Sequence, residues 1–320
     1  MEIKIVKIPK NDGVFRKIYI PDYKTDNMLI NINKDLSRII FPPYVCAFAK
    51  RRNVAKYIIP HLFRITKNKA MSMDIFQCFD SIKKKHIINS LKELLDKDMA
   101  DKFKVIIPDI ALKRIKSILD GEIDIITYNG FLPQGFRTSP IISNIVLLSI
   151  DNEIIERLKK EFNLKDLIYT RYADNILISS LKLEYNINMR RDIVEVINNI
   201  LVGKDLKVNR RKIKLYLRKN NNHVKICGIS INMETGEIKP PRRIRHMVRG
   251  LEYICSKIDK PDYNKLNGYI GYKNMVEHEY RVLKRKIKID RCGGQKIKEE
   301  KEKEKERKEE RKEERKDENM

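Results

Sequence analysis

Two stretches of the chain alternate or cluster apolar residues over the short span of a β-strand and carry an acid at the end of the run. Ala70-Met71-Ser72-Met73-Asp74 is a strand-like run closing on Asp74, with Phe76 and Phe79 just beyond. The octet Thr170-Arg171-Tyr172-Ala173-Asp174-Asn175-Ile176-Leu177 sets a carboxylate and an amide between two apolar segments. Strand, tight turn and strand in that order predict a β-hairpin with Asp174 at its tip. An acid held on rigid elements is well placed to bind a metal ion, although Asp-Asn is also an ordinary turn dipeptide. Between the two acids, Leu132-Pro133-Gln134-Gly135-Phe136-Arg137-Thr138-Ser139-Pro140 predicts a loop. The apolar stretch that follows, to Ile150, predicts a helix with Ser143 and Asn144 near its start.

Farther along, the apolar period lengthens. Pro240-Pro241 marks a boundary. Ile244, Met247, Val248, Leu251 and Ile254 then recur at three- and four-residue spacing beside Arg242, Arg243, Arg245 and His246. That pattern predicts a basic amphipathic helix. Leu266 to Tyr272 reads as a second helix. From Gly293 onward Glu alternates with Lys and Arg, the pattern of a single solvated helix or of a chain without fixed structure. It has almost no apolar positions and so forms no coiled-coil seam.

Charge adds a partner to this picture. The last 28 residues hold 11 basic and 11 acidic side chains, so the whole formal charge of +25 falls on residues 1–292. Such an excess on a folded body favours a polyanion through Lys and Arg contacts to phosphates. A Lys-, Ile- and Asn-rich genome would give the same excess without a partner. A length of 320 residues at 42% hydrophobic content suffices for two or three subdomains with a sizeable core. No apolar run approaches the ~20 residues of a membrane span. The start Met1-Glu2-Ile3-Lys4 lacks a signal-peptide pattern, so a cytoplasmic chain without membrane contact is expected. Cys46, Cys78, Cys227, Cys255 and Cys292 are scattered with no Cys-x-x-Cys pair, which predicts reduced thiols and no structural zinc.

Taken in order, these segments resemble a reverse transcriptase of the retron and group II intron type. The palm motifs of that family run D-(I/L)-x-x-F-F-x-S-I, then L-P-Q-G-x-x-T-S-P-x-x-S-N, then Y-A-D-D, and residues 74–82, 132–144 and 172–175 follow them. Arg16-Lys17-Ile18-Tyr19-Ile20-Pro21 resembles its basic fingers strand, and Ala47-Phe48-Ala49-Lys50-Arg51-Arg52 followed by His61 its second fingers motif. Asn209-Arg210-Arg211-Lys212 resembles the lysine-bearing motif, and Cys227-Gly228-Ile229 the primer-grip turn. The likeness covers residues 14 to about 232. Four departures stand out: Asn175 replaces the second acid of Y-A-D-D, Cys78 stands where many relatives carry Phe, Tyr57-Ile58-Ile59-Pro60-His61 keeps only its Pro and His, and Ile226-Cys227-Gly228 stands in place of Val-Thr-Gly.

The resemblance implies an α+β right-hand polymerase: fingers and palm over residues 1–235 with an antiparallel palm sheet, a helical thumb over 236–292, and a charged tail over 293–320. It implies RNA-directed DNA synthesis with two Mg²⁺ ions, Mn²⁺ being an alternative, at Asp74, Ile75 and Asp174. Two ions about 3.5–4 Å apart stabilise both the attacking and the leaving oxygens, and such ions prefer carboxylate and phosphate oxygens. Asp74, Asp174, Asn175 and Lys212 are the implied catalytic positions, with Arg210, Arg211 and Lys214 competing with Lys212 for its register. Phe79 is implied as the plate beneath the sugar that selects deoxynucleotides, or is a core ring beside Phe76. Gln134 and Gly135 are placed against template or nucleotide, and Arg16, Lys17, Arg51 and Arg52 against the triphosphate. Implied partners are a structured noncoding RNA serving as template and primer, dNTPs, an RNA–DNA hybrid and an effector protein, as in retrons and anti-phage defence. Two other functions fit parts of the pattern: an RNA-binding protein weakened in catalysis by Asn175, and a template-independent or other nucleotidyltransferase of the same fold.

Overall fold

Alternating Ile and Lys residues at the start of the chain form a two-stranded antiparallel ribbon, β1 (Ile3–Pro9) with β2 (Phe15–Pro21), in which Lys7 lies opposite Lys17 and Ile8 opposite Arg16. The computed structural model describes residues 2–9, 15–183, 187–218, 222–257 and 263–285, so the charged tail read from the sequence lies outside the described residues. Helix α1 (Tyr23–Leu36) opens on Asp22, whose side chain accepts from the Thr25 amide at 2.8 Å, and buries Leu29, Ile32 and Leu36. After two short helices, α2 (Val54–Ile58) and α3 (Leu62–Thr66), comes β3 (Ala70–Asp74). It is followed by α4 (Cys78–Ser81), α5 (Lys84–Leu95), α6 (Lys97–Lys102) and α7 (Asp109–Asp120). The loop after α7 leads into α8 (Ser139–Glu161), then the hairpin β4 (Ile168–Tyr172) and β5 (Asn175–Ser179), helix α9 (Ile187–Val202) and β6 (Lys214–Leu215).

Strands β4, β5, β3 and β6 lie in that order in one antiparallel sheet. In register, Asp74 faces Asn175 and Ala70 faces Ser179. All five residues of β3 are buried, because a central strand covered on both faces has no solvent side to alternate toward. The predicted helix after the Pro/Gly loop is α8, whose first half is buried all round; it packs against α5 and α9.

His61, read from the sequence as part of a fingers motif, is a buried strut of this sheet. Its Nδ1 lies 2.7 Å from Ser179 Oγ on β5, and its Nε2 lies 2.9 Å from Thr170 Oγ1 on β4. The Thr170 hydroxyl proton is already given to the Tyr57 carbonyl at 2.8 Å. Nε2 is therefore assigned as the donor to Thr170, and Nδ1 as the acceptor from Ser179. Burial, reinforced by the nearby Arg64 charge, pushes the imidazole pKa down to about 3. The unfolded chain takes that proton near pH 6.5 and the folded chain does not, so stability is lost as pH falls through the window from about 6.5 toward 3. Between pH 7 and 5 this one group lowers stability by about 2 kcal/mol. Urea midpoints at the two pH values should show that drop in the native chain and a smaller one in His61→Gln; equal drops would count against the strut.

Strands β7 (His223–Ile226), β8 (Ile229–Asn232) and β9 (Ile238–Lys239) form a small sheet in that order. The described residues divide into two compact units, one within 2–227 with Ile231–Gly236, the other of Gly228–Ser230 with those within 237–285. The second unit contains α10 (Arg242–Cys255), which starts directly after Pro241, and a helix α11 over residues 263–285. Of the apolar stripe read for α10, Val248 is buried while Ile254 stays 48% exposed.

Candidate active site

The two acids that closed separate runs in the sequence meet at the end of the β3–β5 pair. Asp74 is the last residue of β3 and only 5% exposed. Asp174 lies in the two-residue turn Ala173-Asp174 between β4 and β5. Its main-chain carbonyl accepts from the Ile75 amide at 2.9 Å, which ties the turn to the end of β3. Ala173 holds a φ of 57°, unusual for a residue other than Gly, Asn or Asp. Asn175 begins β5 and donates its Nδ2 to Asp174 Oδ1 at 2.9 Å.

Two donors converge on Asp74. Asn209 gives its amide to the Asp74 carbonyl at 2.7 Å and its Nδ2 to Oδ1 at 3.2 Å. The Lys212 ammonium lies 3.2 Å from both carboxylate oxygens while its side chain remains 59% exposed. Of the four basic residues competing in that segment, Lys212 is the one that pairs with Asp74. Arg210 is engaged with Glu195 at 2.8 and 2.9 Å, and Lys214 lies in β6. Burial holds the Asp174 carboxyl above the usual carboxylate range, and the charge of Asp74 adds to the shift against the opposing pull of Lys212.

No cluster of three or more His, Cys, Asp or Glu gathers among the described residues. The donor set still suits a hard divalent ion. The Asp74 charge that helps raise the Asp174 carboxyl would be offset by a cation between the two, and Mg²⁺ is commonly held by one or two carboxylates plus substrate phosphates. Ile75 is buried and apolar and offers only its main-chain carbonyl to such a set.

The other predicted positions fall in separate places. Phe79 is half-buried against the core on the one-turn helix α4, after Gln77 at φ 45°. Cys78 is 3% exposed, and burial, with the Asp174 charge added, pushes its thiol up to about 12; it fills core space as an inert thiol. Gln134 and Gly135 lie against β2. The Tyr19 amide donates to the Gln134 carbonyl at 2.7 Å. A Cβ on Gly135, at φ 115°, would stand 2.5 Å from the Tyr19 carbonyl and 2.9 Å from Ile18 Cγ2. The missing side chain faces β2, and the loop needs a glycine there to lie on that strand. Arg16 and Lys17 are exposed on β2, and neither pairs with a carboxylate among the described residues. Arg51, at φ 59°, and Arg52 lie on the loop before α2.

The sequence reading missed Asn209 as a support of Asp74 and missed the ionic bond beneath the hairpin. Arg171 is fully buried and grips Asp151 of α8, itself 1% exposed, with Nε–Oδ1 and Nη2–Oδ2 both at 2.8 Å. A signal for it exists. Asp151 interrupts the apolar helix stripe of Leu147, Ile150, Ile154 and Leu158, and a charge there needs a buried partner.

The family profile described as reverse transcriptase (RNA-dependent DNA polymerase) matches residues 8–239. The chain is 23% identical over 300 residues to the Retron Ec48 reverse transcriptase of Escherichia coli, covering 88% of this chain and 67% of that protein. It is 28% identical over 291 residues to the Retron Ec73 reverse transcriptase of Escherichia coli, covering 87% and 85%. Among solved structures it is similar to apo telomerase from Candida tropicalis, with a TM-score of 0.49 and 15% identity, covering 74% of this chain and about half (47%) of the telomerase chain. With two strand-end acids meeting in the first unit and a profile matched across most of its length, the chain belongs to the reverse transcriptase (RNA-dependent DNA polymerase) family.

Proposed function

We propose that this chain synthesises DNA on an RNA template by phosphoryl transfer at Asp74 and Asp174, and that its template is a structured noncoding RNA of the kind a retron enzyme copies. The meeting of the two carboxylates beside Lys212 carries this reading. Divalent ions bound by Asp74 and Asp174, with the Ile75 carbonyl, would neutralise charge on the attacking and leaving oxygens. Asn209 and the Ile75 amide fix the two acids in place. Lys212, half in solvent and paired with Asp74, would give a proton to departing pyrophosphate. Phe79 would stand beneath the sugar and exclude a 2′-hydroxyl. Arg16, Lys17, Arg51 and Arg52 are the proposed contacts to the triphosphate. The fingers and palm would occupy residues 1–235 and the thumb 236–292. Exposed Arg242, Arg243, His246 and Arg249 on α10 would grip the backbone of an RNA–DNA hybrid. Among the described residues no helix is long and apolar enough to cross a membrane.

The test is primer extension by the full chain on a defined RNA template with Mg²⁺ or Mn²⁺, offering dNTPs or NTPs in parallel. Extension with dNTPs on RNA supports the proposal. Retained RNA binding without extension under either metal would favour the RNA-binding reading, which Asn175 motivates, and extension with NTPs or without template would favour a different nucleotidyltransferase. Sequencing nucleic acid that copurifies with the chain would identify the template.

Asn175 supplies a graded prediction. Asn175→Asp adds a third carboxylate where an amide now donates to Asp174, so the metal-free protein should unfold at a lower urea concentration. The Mg²⁺ needed for half-maximal synthesis should fall about tenfold, the scale on which a metal's supporting groups act. Unchanged Mg²⁺ dependence would show that position 175 does not sense the metal.

A further inference from the structure

We propose that Arg171, gripped by Asp151, is a positioning residue that sets Asp174 against Asp74. The inference rests on the reading of Asp174 as a catalytic carboxylate and adds the device that places it.

Three residues, two on helix α8 and one in the hairpin turn, meet on one guanidinium. Nε and Nη2 make the paired contact to Asp151 in the middle of α8, and Tyr169 of β4 donates to the same Asp151 Oδ1 at 2.5 Å. Nη1 divides between Asn144 Oδ1 near the start of α8, at 2.9 Å, and the Ala173 carbonyl, at 3.1 Å. Asn144 in turn donates its Nδ2 to the Ala47 carbonyl at 2.8 Å. The main chain repeats the connection, since the Arg171 amide donates to the Tyr44 carbonyl and the Cys46 amide to the Arg171 carbonyl, both at 2.8 Å. The side chain thus bonds helix α8 to the turn of the β4–β5 hairpin, while Asn144 and the Arg171 main chain extend the connection to residues 44–47.

The contact to Ala173 links this network to chemistry. That residue holds the left-handed φ of the turn, a conformation that costs an alanine energy and persists only where its surroundings enforce it. Its carbonyl is taken by Arg171 on one side, and the next carbonyl, that of Asp174, is taken by the Ile75 amide on the other. Asp174 is therefore fixed between two bonds, one to the palm strand and one to the buried ion pair. Stability gives weak grounds for such a pair, because apolar side chains of similar volume commonly serve a core as well or better. A fork that can reach a carboxylate, an amide and a turn carbonyl at once is something only arginine supplies.

The test uses the full chain and two variants, Arg171→Lys and the double variant Arg171→Met/Asp151→Leu, which removes both charges at similar volume. Urea unfolding reports whether each folds. Tb³⁺ luminescence sensitised by tyrosine reports cation binding without any turnover, and primer extension gives kcat, KM for dNTP and the half-maximal Mg²⁺ concentration. The double variant should keep a cooperative unfolding transition yet bind Tb³⁺ about ten- to a hundredfold more weakly, with kcat falling on the same scale and KM for dNTP little changed. Arg171→Lys should share the defect, because one ammonium cannot hold all three partners. A folded double variant with native Tb³⁺ affinity and kcat overturns the inference and leaves the proposed function standing. A native chain that neither binds Tb³⁺ nor extends a primer overturns both.

Discussion

Asp74→Asn should lower DNA synthesis about a thousandfold while leaving the protein folded. The carboxylate is one of two proposed to carry divalent ions, and several kcal/mol of transition-state charge stabilisation at 1.36 kcal/mol per factor of ten amounts to about that loss. Stability should move the other way or not at all. Asn keeps an oxygen for the Asn209 and Lys212 donors, and it removes the charge that helps hold the Asp174 carboxyl above its usual range. A raised carboxylate pKa destabilises the folded chain at pH values above it, and the cost disappears as pH falls through it, so the gain from Asp74→Asn should be visible at neutral pH and vanish in acid. Asp174→Asn should behave alike. Primer extension and urea unfolding at two pH values check both halves, and synthesis within tenfold of native would remove Asp74 from the chemistry.

The second large effect is on stability. Asp151→Ala leaves the Arg171 guanidinium buried without its counter-charge, and unfolding should become easier by about 3–5 kcal/mol. Tyr169 loses the acceptor of its hydroxyl in the same change. Because that loss is a large share of a typical domain's stability, the measurement is a urea midpoint at low temperature. A cost below about 1 kcal/mol would mean that water or another acceptor reaches the guanidinium. The contrast with the double variant is informative, since removing both charges should cost far less than removing one.

Several features were written locally and could be read without coordinates. Asp74 closes a strand and Asp174 occupies a hairpin turn because strand period and turn chemistry act over a handful of neighbours. The long helix after Pro140 and the basic helix after Pro241 follow from the same short-range rules. The local pattern did not say how far each face would be covered. β3 is covered on both faces, and Ile254 stays in water at the end of an otherwise apolar stripe.

What the chain order alone determined, then, is which residues could bear the chemistry: two acids on strand ends, an amide where a third acid is usual, and a run of bases after them. Folding decided the partners. Only in three dimensions does Lys212, not Arg210 or Lys214, face Asp74; does Gly135 meet β2; and does His61 bridge strands 109 and 118 residues away. Asp151 breaks an apolar stripe visible in the chain, but only the closed sheet gives it Arg171 as a partner. The reason is physical: side-chain type and spacing are properties of neighbours along the chain, whereas an ion pair, a shared proton or a close backbone approach depends on ångström distances between segments that the core brings together.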